Sequence, residues 1–527
     1  MRRSRTFRRT ATGLAVATAL AMMGMPVAHG AEEAKNDAPA SNWLSDDVKF
    51  QVSGYARAWA SFNLQNQPEL DAVGKDSKGK LSMLRGSVLL DADLTTGSVK
   101  WKAIGRLDRE YKTGYLEDLE DLRATNGTAG GPSITKNYNN GDIRELWVEA
   151  PLGERTTVKF GKQQLVWGES DFFQAMDLVH GYDYSWRLFF EGENEEWRKP
   201  LIMLSTKIRV PEAKGMIAAF VRPGWDRCED IGNTYDIRGG RWFFQPYRGY
   251  DLTRVTTKNC EHKDGDMDDV TGGIRWSGEA FGLNYSIAYL TTFSADSVAS
   301  SAFKPHQGVP VAGAVLDRIH PKIDVLGATV SGYSETLDAV ISAEVAYTKD
   351  QPYNVGTGAF NPGNAANPGI GLNGIKKKDT LRTMIRIDKD LSLENVFGTS
   401  RPSFSSIQLF NTQVLGFDGG DDLVRFYAYG TPLNEHSTIL TAFTTLNYRN
   451  DTINPGLAVG FDLSNGGGFA IPSVALTFSD KWVAKVEADI FWDGGKSNKT
   501  QFSNGESQLF GYFNRASQLV FRLTRQF

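Results

Sequence analysis

Apolar and polar residues alternate along this chain with a period of two. Over 481–492, Trp482, Ala484, Val486, Ala488, Ile490 and Trp492 share one face, and Lys485, Glu487 and Asp489 share the other. Leu337, Ala339, Ile341, Ala343, Val345 and Tyr347 alternate with Asp338, Ser342 and Glu344. Phe50, Val52, Gly54, Ala56, Ala58 and Ala60 oppose Lys49, Gln51, Ser53, Tyr55 and Arg57, while Val99, Trp101, Ala103, Gly105 and Leu107 oppose Lys100, Lys102, Arg106 and Asp108. Successive side chains of a strand leave on opposite faces, so these segments are strands with one apolar and one charged face.

A soluble sandwich and a transmembrane barrel both produce this pattern, with the charged face turned to solvent in one and to the lumen in the other. Three features favour the barrel. Aromatics such as Trp482 and Trp492 sit at strand ends, and the apolar faces use Ala and Gly freely. Tight turns also alternate with long polar connections. The turns read as Thr96-Gly97, Pro151-Leu152-Gly153-Glu154, Pro211-Glu212-Ala213-Lys214, Ser277-Gly278-Glu279-Ala280 and Ser479-Asp480. The long connections fall near 65–80, 112–141, 167–200, 224–268, 293–321, 350–377 and 493–514. This asymmetry belongs to outer-membrane barrels, with short periplasmic turns and long external loops. The expectation is an all-β, antiparallel up-and-down barrel over 48–527 with about 18 strands; 16 stays open because 389–436 reads two ways.

Leu519, Phe521, Leu523 and Phe527 fall on one face of the last strand, opposite Arg522, Thr524 and Gln526. A terminal aromatic on an amphipathic strand resembles the signal by which barrel-assembly machinery recognises its clients; Arg525 departs from it. At the other end, Arg2, Arg3, Arg5, Arg8 and Arg9 precede an apolar run from Leu14 to Met25 and the small-residue site Ala28-His29-Gly30. That order predicts a signal peptide over 1–30, cleaved before Ala31, and then a flexible segment over 31–47. Ordinary secretion fits better than the twin-arginine route. The expected destination is the Gram-negative outer membrane.

Composition adds exclusions. Removal of 1–30 lowers Lys+Arg from 58 to 53 against 62 Asp+Glu, so the exported chain carries about −9 and lacks the basic character that nucleic-acid binding needs. Cys228 and Cys260, in an oxidising compartment, are read as a disulfide. Asp264, Asp266, Asp268 and Asp269 are weighed as a calcium site, but lack the distal Glu of an EF-hand and are read as a solvated loop. The histidines are dispersed, and there is no P-loop or Gly-x-Ser-x-Gly elbow. No metal, cofactor or catalytic residue is assigned, and the expected role is not enzymatic.

The most distinctive segment runs from Val158-Lys159-Phe160-Gly161-Lys162-Gln163 into Trp167-Gly168-Glu169 and then an aromatic stretch. Trp167, Phe172, Phe173, Tyr182, Tyr184, Trp186, Phe189, Phe190 and Trp197 are interleaved there with Glu169, Asp171 and Glu191. So many aromatics in a loop need a surface to rest on. Two readings stay open: a constriction inside the barrel that contacts apolar solutes, and a cap that only stiffens and seals. Arg57, Lys100, Arg106, Glu145, Glu149 and Glu487 are the expected lumen charges, forming a selectivity field or neutralising one another.

Phe160-Gly161-Lys162-Gln163, Trp167-Gly168-Glu169 and Arg198-Lys199-Pro200-Leu201 resemble a poorly characterised proteobacterial outer-membrane family that carries only a domain-of-unknown-function label. Ser342-Ala343-Glu344-Val345-Ala346-Tyr347 and Ser406-Ile407-Gln408-Leu409-Phe410 are similar too. The resemblance implies traffic in lipid-like or steroid-like compounds, with a periplasmic lipid-binding protein and an exporter as partners beside outer-membrane lipid. The expected function is a port for small hydrophobic or amphipathic solutes, gated by the aromatic loop. A general porin for polar solutes, an outer-membrane enzyme and a partner-binding barrel are the alternatives.

Overall fold

The computed structural model describes residues 48–527 except 72, 126–134, 136–138, 171–172, 183–195, 197, 225–269, 297, 300–317, 359–363, 365–366, 368, 370, 425–431 and 495–509. The expected signal peptide and leader, and the Cys228–Cys260 pair with its neighbouring aspartates, lie outside these residues.

The strands, in chain order, are β1 (Val48–Asn63), β2 (Leu81–Thr96), β3 (Val99–Glu110), β4 (Asn140–Leu152), β5 (Thr156–Gln163), β6 (Leu201–Val210), β7 (Gly215–Arg222), β8 (Thr271–Ala280) and β9 (Leu283–Phe293). There follow β10 (Val298–Ala299), β11 (Arg318–Ile319), β12 (Lys322–Ser334), β13 (Ala339–Asn354), β14 (Ile375–Leu391), β15 (Ser403–Val414) and β16 (His436–Thr445). The last four are β17 (Ile453–Asp462), β18 (Gly468–Ser479), β19 (Trp482–Trp492) and β20 (Gln518–Gln526). All but the short β10–β11 hairpin join one 18-stranded antiparallel sheet. Each strand pairs with its neighbour in sequence, β9 pairs with β12, and β1 pairs with β20 to close the ring. Beyond β20, Phe527 and Gly54 exchange both backbone hydrogen bonds, at 3.0 and 3.1 Å. The ambiguous stretch 389–436 contributes β15, which settles the count at eighteen.

The outer surface carries the apolar half of the alternation. Trp101, Leu107, Ile274, Ile287, Ile385 and Leu523 are exposed, whereas Arg57, Arg106, Glu344, Glu487 and Arg522 are buried inside. A solvent-exposed apolar wall of this extent needs lipid around it, and a closed ring is the form in which strands cross lipid. Among the described residues no helix is long and apolar enough to cross a membrane. Short turns join β2–β3, β4–β5, β6–β7, β8–β9, β12–β13 and β18–β19 at one end, which is therefore assigned as periplasmic. One expected turn is corrected: Ser277–Ala280 belong to β8, and the chain reverses at Phe281 and Gly282, both with positive φ. Such a two-residue reversal matches the twist of the flanking strands, and the polar Ser-Gly-Glu run lies just before it.

The β1–β20 seam is testable. Ala58 lies directly opposite Leu523, so the double variant Ala58→Cys, Leu523→Cys should oxidise to a bond that covalently closes the ring. Peptide mapping would detect the linkage between positions 58 and 523; its absence under oxidising conditions would mean that the ring is not closed there.

Candidate functional site

The connection from Gln163 to Leu201 does not stay outside. Its described residues touch the inner faces of strands all round the barrel. Trp167 is buried against Phe220 on β7, the rings 5.3 Å apart in an edge arrangement. The backbone N–H groups of Glu169 and Met176 both donate to the buried carboxylate of Glu344 on β13, the latter at 2.9 Å. Arg386 on β14 donates to the carbonyl of Glu169 at 2.9 Å. On the opposite side, Arg57 on β1 pairs with Glu196 at 3.4 Å, and Tyr55 donates to the same carboxylate at 2.6 Å. Arg106 on β3 and Arg144 on β4 donate to the carbonyls of Glu196 and Arg198. The loop therefore spans the lumen, held at one end by Glu344 and Arg386 and at the other by Arg57, Tyr55, Arg106 and Arg144.

Two glycines of the wall make room for it. A Cβ at Gly327 on β12 would lie 2.0 Å from the Met176 sulfur, and one at Gly273 on β8 would lie 3.0 Å from the Trp167 ring. Met176 and Trp167 thus sit in notches that any larger residue would fill. They join an apolar cluster with Leu178, Val179, Leu201, Met203, Leu290, Ile323 and Val325.

The loop is also tied to itself. Asp177 and Arg198, both buried, form an ion pair at 2.7 Å, and Gln174 donates to the carbonyls of Asp177 and His180. The His180 ring bridges the two legs: Leu165 N–H donates to Nε2, and Nδ1 donates to the Lys199 carbonyl, each at 2.8 Å. That arrangement requires the neutral ring. Burial, the largest influence, pushes its pKa down to about 4; Asp177 opposes this, and Arg198 and Arg222 add to it. Burial likewise raises the Tyr182 hydroxyl.

The inner wall itself is two-faced. Over β1–β4 it is charged: Arg85 pairs with Glu110 at 2.7 Å, and Arg106 with Asp108 at 2.9 Å, all four buried. Over β14–β19 it carries an apolar level between polar positions such as Arg382, Arg386, Gln408, Thr441, Glu487 and Asp489. Met384, Phe410 and Ile439 are successive cross-strand neighbours, as are Phe443, Ala458 and Ile471, and Phe469 faces Phe491. One apolar cluster so reaches as a band across six adjacent strands and on to Trp59 and Met83 of β1 and β2, in a lumen whose other levels are polar. Phe173 from the loop lies on it, 5.4 Å from Phe410, with Ala175 and Tyr182 in the same cluster. Phe510 and Phe513 cover its upper part, against Phe469 and Phe491. Nearer the periplasmic end, Phe404 and Phe443 pack against Ala458, which belongs to the central cluster as well.

Of the residues expected at the constriction, Trp167 faces the wall, Phe173 and Tyr182 cover the apolar band, and Glu169 faces the space beneath the loop. Asp171, Phe172, Tyr184, Trp186, Phe189, Phe190, Glu191 and Trp197 lie outside the described residues. The expected lumen charges do not form one cluster. Arg57 and Arg106 hold the loop; Glu145 accepts from Trp147 and Gln164; Glu149 is 3.7 Å from Lys159; Glu487 pairs with Lys485 at 2.8 Å. Lys100 lies across from Glu149 on the neighbouring strand. The sequence alone assigns no site role to Glu344, Gly273, Gly327 or the luminal phenylalanines. Phe491 and Phe469 do carry a signal: they place a large apolar residue on the face that the alternation assigns to water.

Together these features define a class: a transmembrane β-barrel whose lumen is crossed by an anchored loop lying on an apolar band of the inner wall. The chain belongs to the family described as Protein of unknown function (DUF1302), whose model matches residues 10–515. No curated protein matches it. Among solved structures it is similar to OmpF of Salmonella typhi in complex with daunomycin, at 9% identity and TM-score 0.42, covering 92% of this chain and 99% of that one. It is also similar to OccAB1 of Acinetobacter baumannii, at 11% identity and TM-score 0.43, covering 90% and 95%. A third is OccK9 (OpdG) of Pseudomonas aeruginosa, at 9% identity and TM-score 0.44, covering 91% and 98%. Identities this low say nothing about shared solutes.

Two outcomes follow for the loop. Glu344→Ala strands two loop N–H groups and should weaken docking by on the order of 2–3 kcal/mol. Limited proteolysis within 164–182 should then be faster in the variant, and an unchanged rate would remove Glu344 as the anchor. For His180 the folded pKa of about 4 lies below the ordinary 6.5, so the undocked loop binds the extra proton first. The stabilisation is complete above pH 6.5 and is lost as pH falls from about 6.5 towards 4. The same proteolysis, run with an acid-tolerant protease, should accelerate across that window in the wild type and much less in His180→Gln.

Proposed function

We propose that this barrel is an outer-membrane port for small molecules, that it favours hydrophobic or amphipathic solutes, and that the loop over 164–200 gates it. The observation that carries the reading is the apolar band on the luminal faces of β14–β19, covered at mid-height by Phe173 and Tyr182. Apolar area facing a lumen is costly to wet: leaving it exposed forfeits about 25 cal/mol per Å². The loop's aromatics keep the middle of the band covered, and a solute with an apolar body replaces that cover without exposing it. The charged wall over β1–β4 faces the same lumen and suits the polar end of an amphipathic solute. Folding of the chain by barrel-assembly machinery through Leu519, Phe521, Leu523 and Phe527, and supply or removal of solute by a periplasmic lipid-binding protein and an exporter, belong to the same reading.

The test is single-channel conductance of the refolded protein in a planar bilayer, with and without deletion of 172–196. The intact barrel should be nearly silent and the deletion should conduct. In liposomes, Phe443→Ser in the deletion background should slow uptake of an apolar solute several-fold while ion conductance stays the same. Large, steady conductance of the intact protein would overturn the gating and leave a general porin for polar solutes. Equal apolar uptake with and without Phe443 would overturn the solute class.

A further inference from the structure

Beneath the loop, on its periplasmic side, residues of β6, β7, β8, β9 and β12 and of the β6–β7 turn line an open cavity of about 470 Å³, within the range of small-molecule sites. Its character differs from that of the apolar band. Arg275 on β8 lines it, with Arg209 and Lys214 at the periplasmic rim, Glu169 from the loop, Glu279 near the β8–β9 turn and Thr329 on β12. Three cations against two carboxylates leave the lining with one positive charge.

Arg275 is the centre of the argument. The other wall arginines described above are engaged: Arg57 with Glu196, Arg85 with Glu110, Arg106 with Asp108, and Arg386 with Asp388 and the loop. Arg275 has a buried Nε with no hydrogen-bond partner among the described residues. Glu169 and Glu344 act on its charge from nearby, but Nε makes no hydrogen bond to either. A guanidinium carries five donors in a fixed fork that matches a carboxylate, and leaving such donors buried and unmet is unfavourable. Thr329 adds a hydroxyl on the facing strand, itself bonded to Ser286 at 2.8 Å.

We propose that this cavity binds the singly charged anionic head of an amphipathic solute at Arg275, from the periplasmic side, with Glu169 as the loop's sensor of occupancy. The inference rests on the reading of the barrel as a port and names its solute class more closely. The lining suits one negative charge better than two, since a dianion would also face Glu169 and Glu279, and an anionic head supplies the acceptor that Arg275 Nε lacks. Glu169 is the residue whose backbone is held by Glu344 and Arg386, so an anion arriving beside its carboxylate acts on both anchors of the loop.

The experiment measures binding rather than transport. Decanoate, decan-1-ol and inorganic phosphate are titrated against the full-length protein in lipid nanodiscs, for the wild type, Arg275→Gln and Arg275→Lys; heat-modifiable migration on gels confirms that each variant is folded. Decanoate should bind about tenfold more weakly to Arg275→Gln, with Arg275→Lys between the two and decan-1-ol unaffected. Equal decanoate binding by the wild type and Arg275→Gln would overturn the proposal, as would equal affinity of the wild type for decanoate and decan-1-ol. Displacement of decanoate by phosphate at equal concentration would overturn the amphiphile in favour of a bare-anion site. The port reading fails separately, on silence of the loop-deleted barrel in the bilayer.

Discussion

Hydrocarbon offers no partner to a backbone N–H, so a sheet that crosses it cannot keep an edge. The β1–β20 seam answers that constraint, running from Asn63 against Gln518 down to Gly54 against Phe527. Closure also fixes everything inside. Once eighteen strands form a ring, every second residue is committed to an enclosed volume too wide for the wall side chains alone to fill. The loop between β5 and β6 fills part of that volume, and its anchors are all residues that the closed ring has turned inwards.

The anchors differ around the ring, although Arg386 on β14 holds a loop carbonyl beside Glu344. Towards β12 and β13 the loop is held by packing and by one carboxylate that accepts two N–H groups; towards β1, β3 and β4 it is held by arginines that reach a carboxylate and two carbonyls. Between them, Asp177–Arg198 and the His180 bridge keep the two legs together. A buried pair of this kind adds little net stability, but removing one member is strongly destabilising, so it acts mainly to fix the shape of the loop.

The ring was legible in the sequence because a lipid-facing wall and a wet lumen impose opposite preferences on alternate residues, as along Val99–Asp108 and Trp482–Trp492. The sequence points to a β8–β9 turn a few residues early because Ser-Gly-Glu has turn composition, whereas Phe281, the residue at the reversal, does not. The inner apolar band was not legible for a related reason. Phe410, Phe443, Phe469 and Phe491 break the alternation, and only the register between strands shows which residues they meet: Ile439, Ala458 and, for the last two, each other. The notches were hidden more deeply: Gly273 and Gly327 look ordinary among 54 glycines until Trp167 and Met176 are seen seated against them. The loop's aromatic composition, by contrast, announced that it would need a surface.

Those two seats, with the Glu344 carboxylate beside one of them, have a mechanical consequence. Three separate points of attachment on one side determine a plane, so this flank of the loop has no soft direction along which to slide. Leaving one seat tilts the others out of register, and the contacts are lost together rather than in sequence. Such a mounting has the character of a catch and not of a damper: its three contacts hold this flank as one unit.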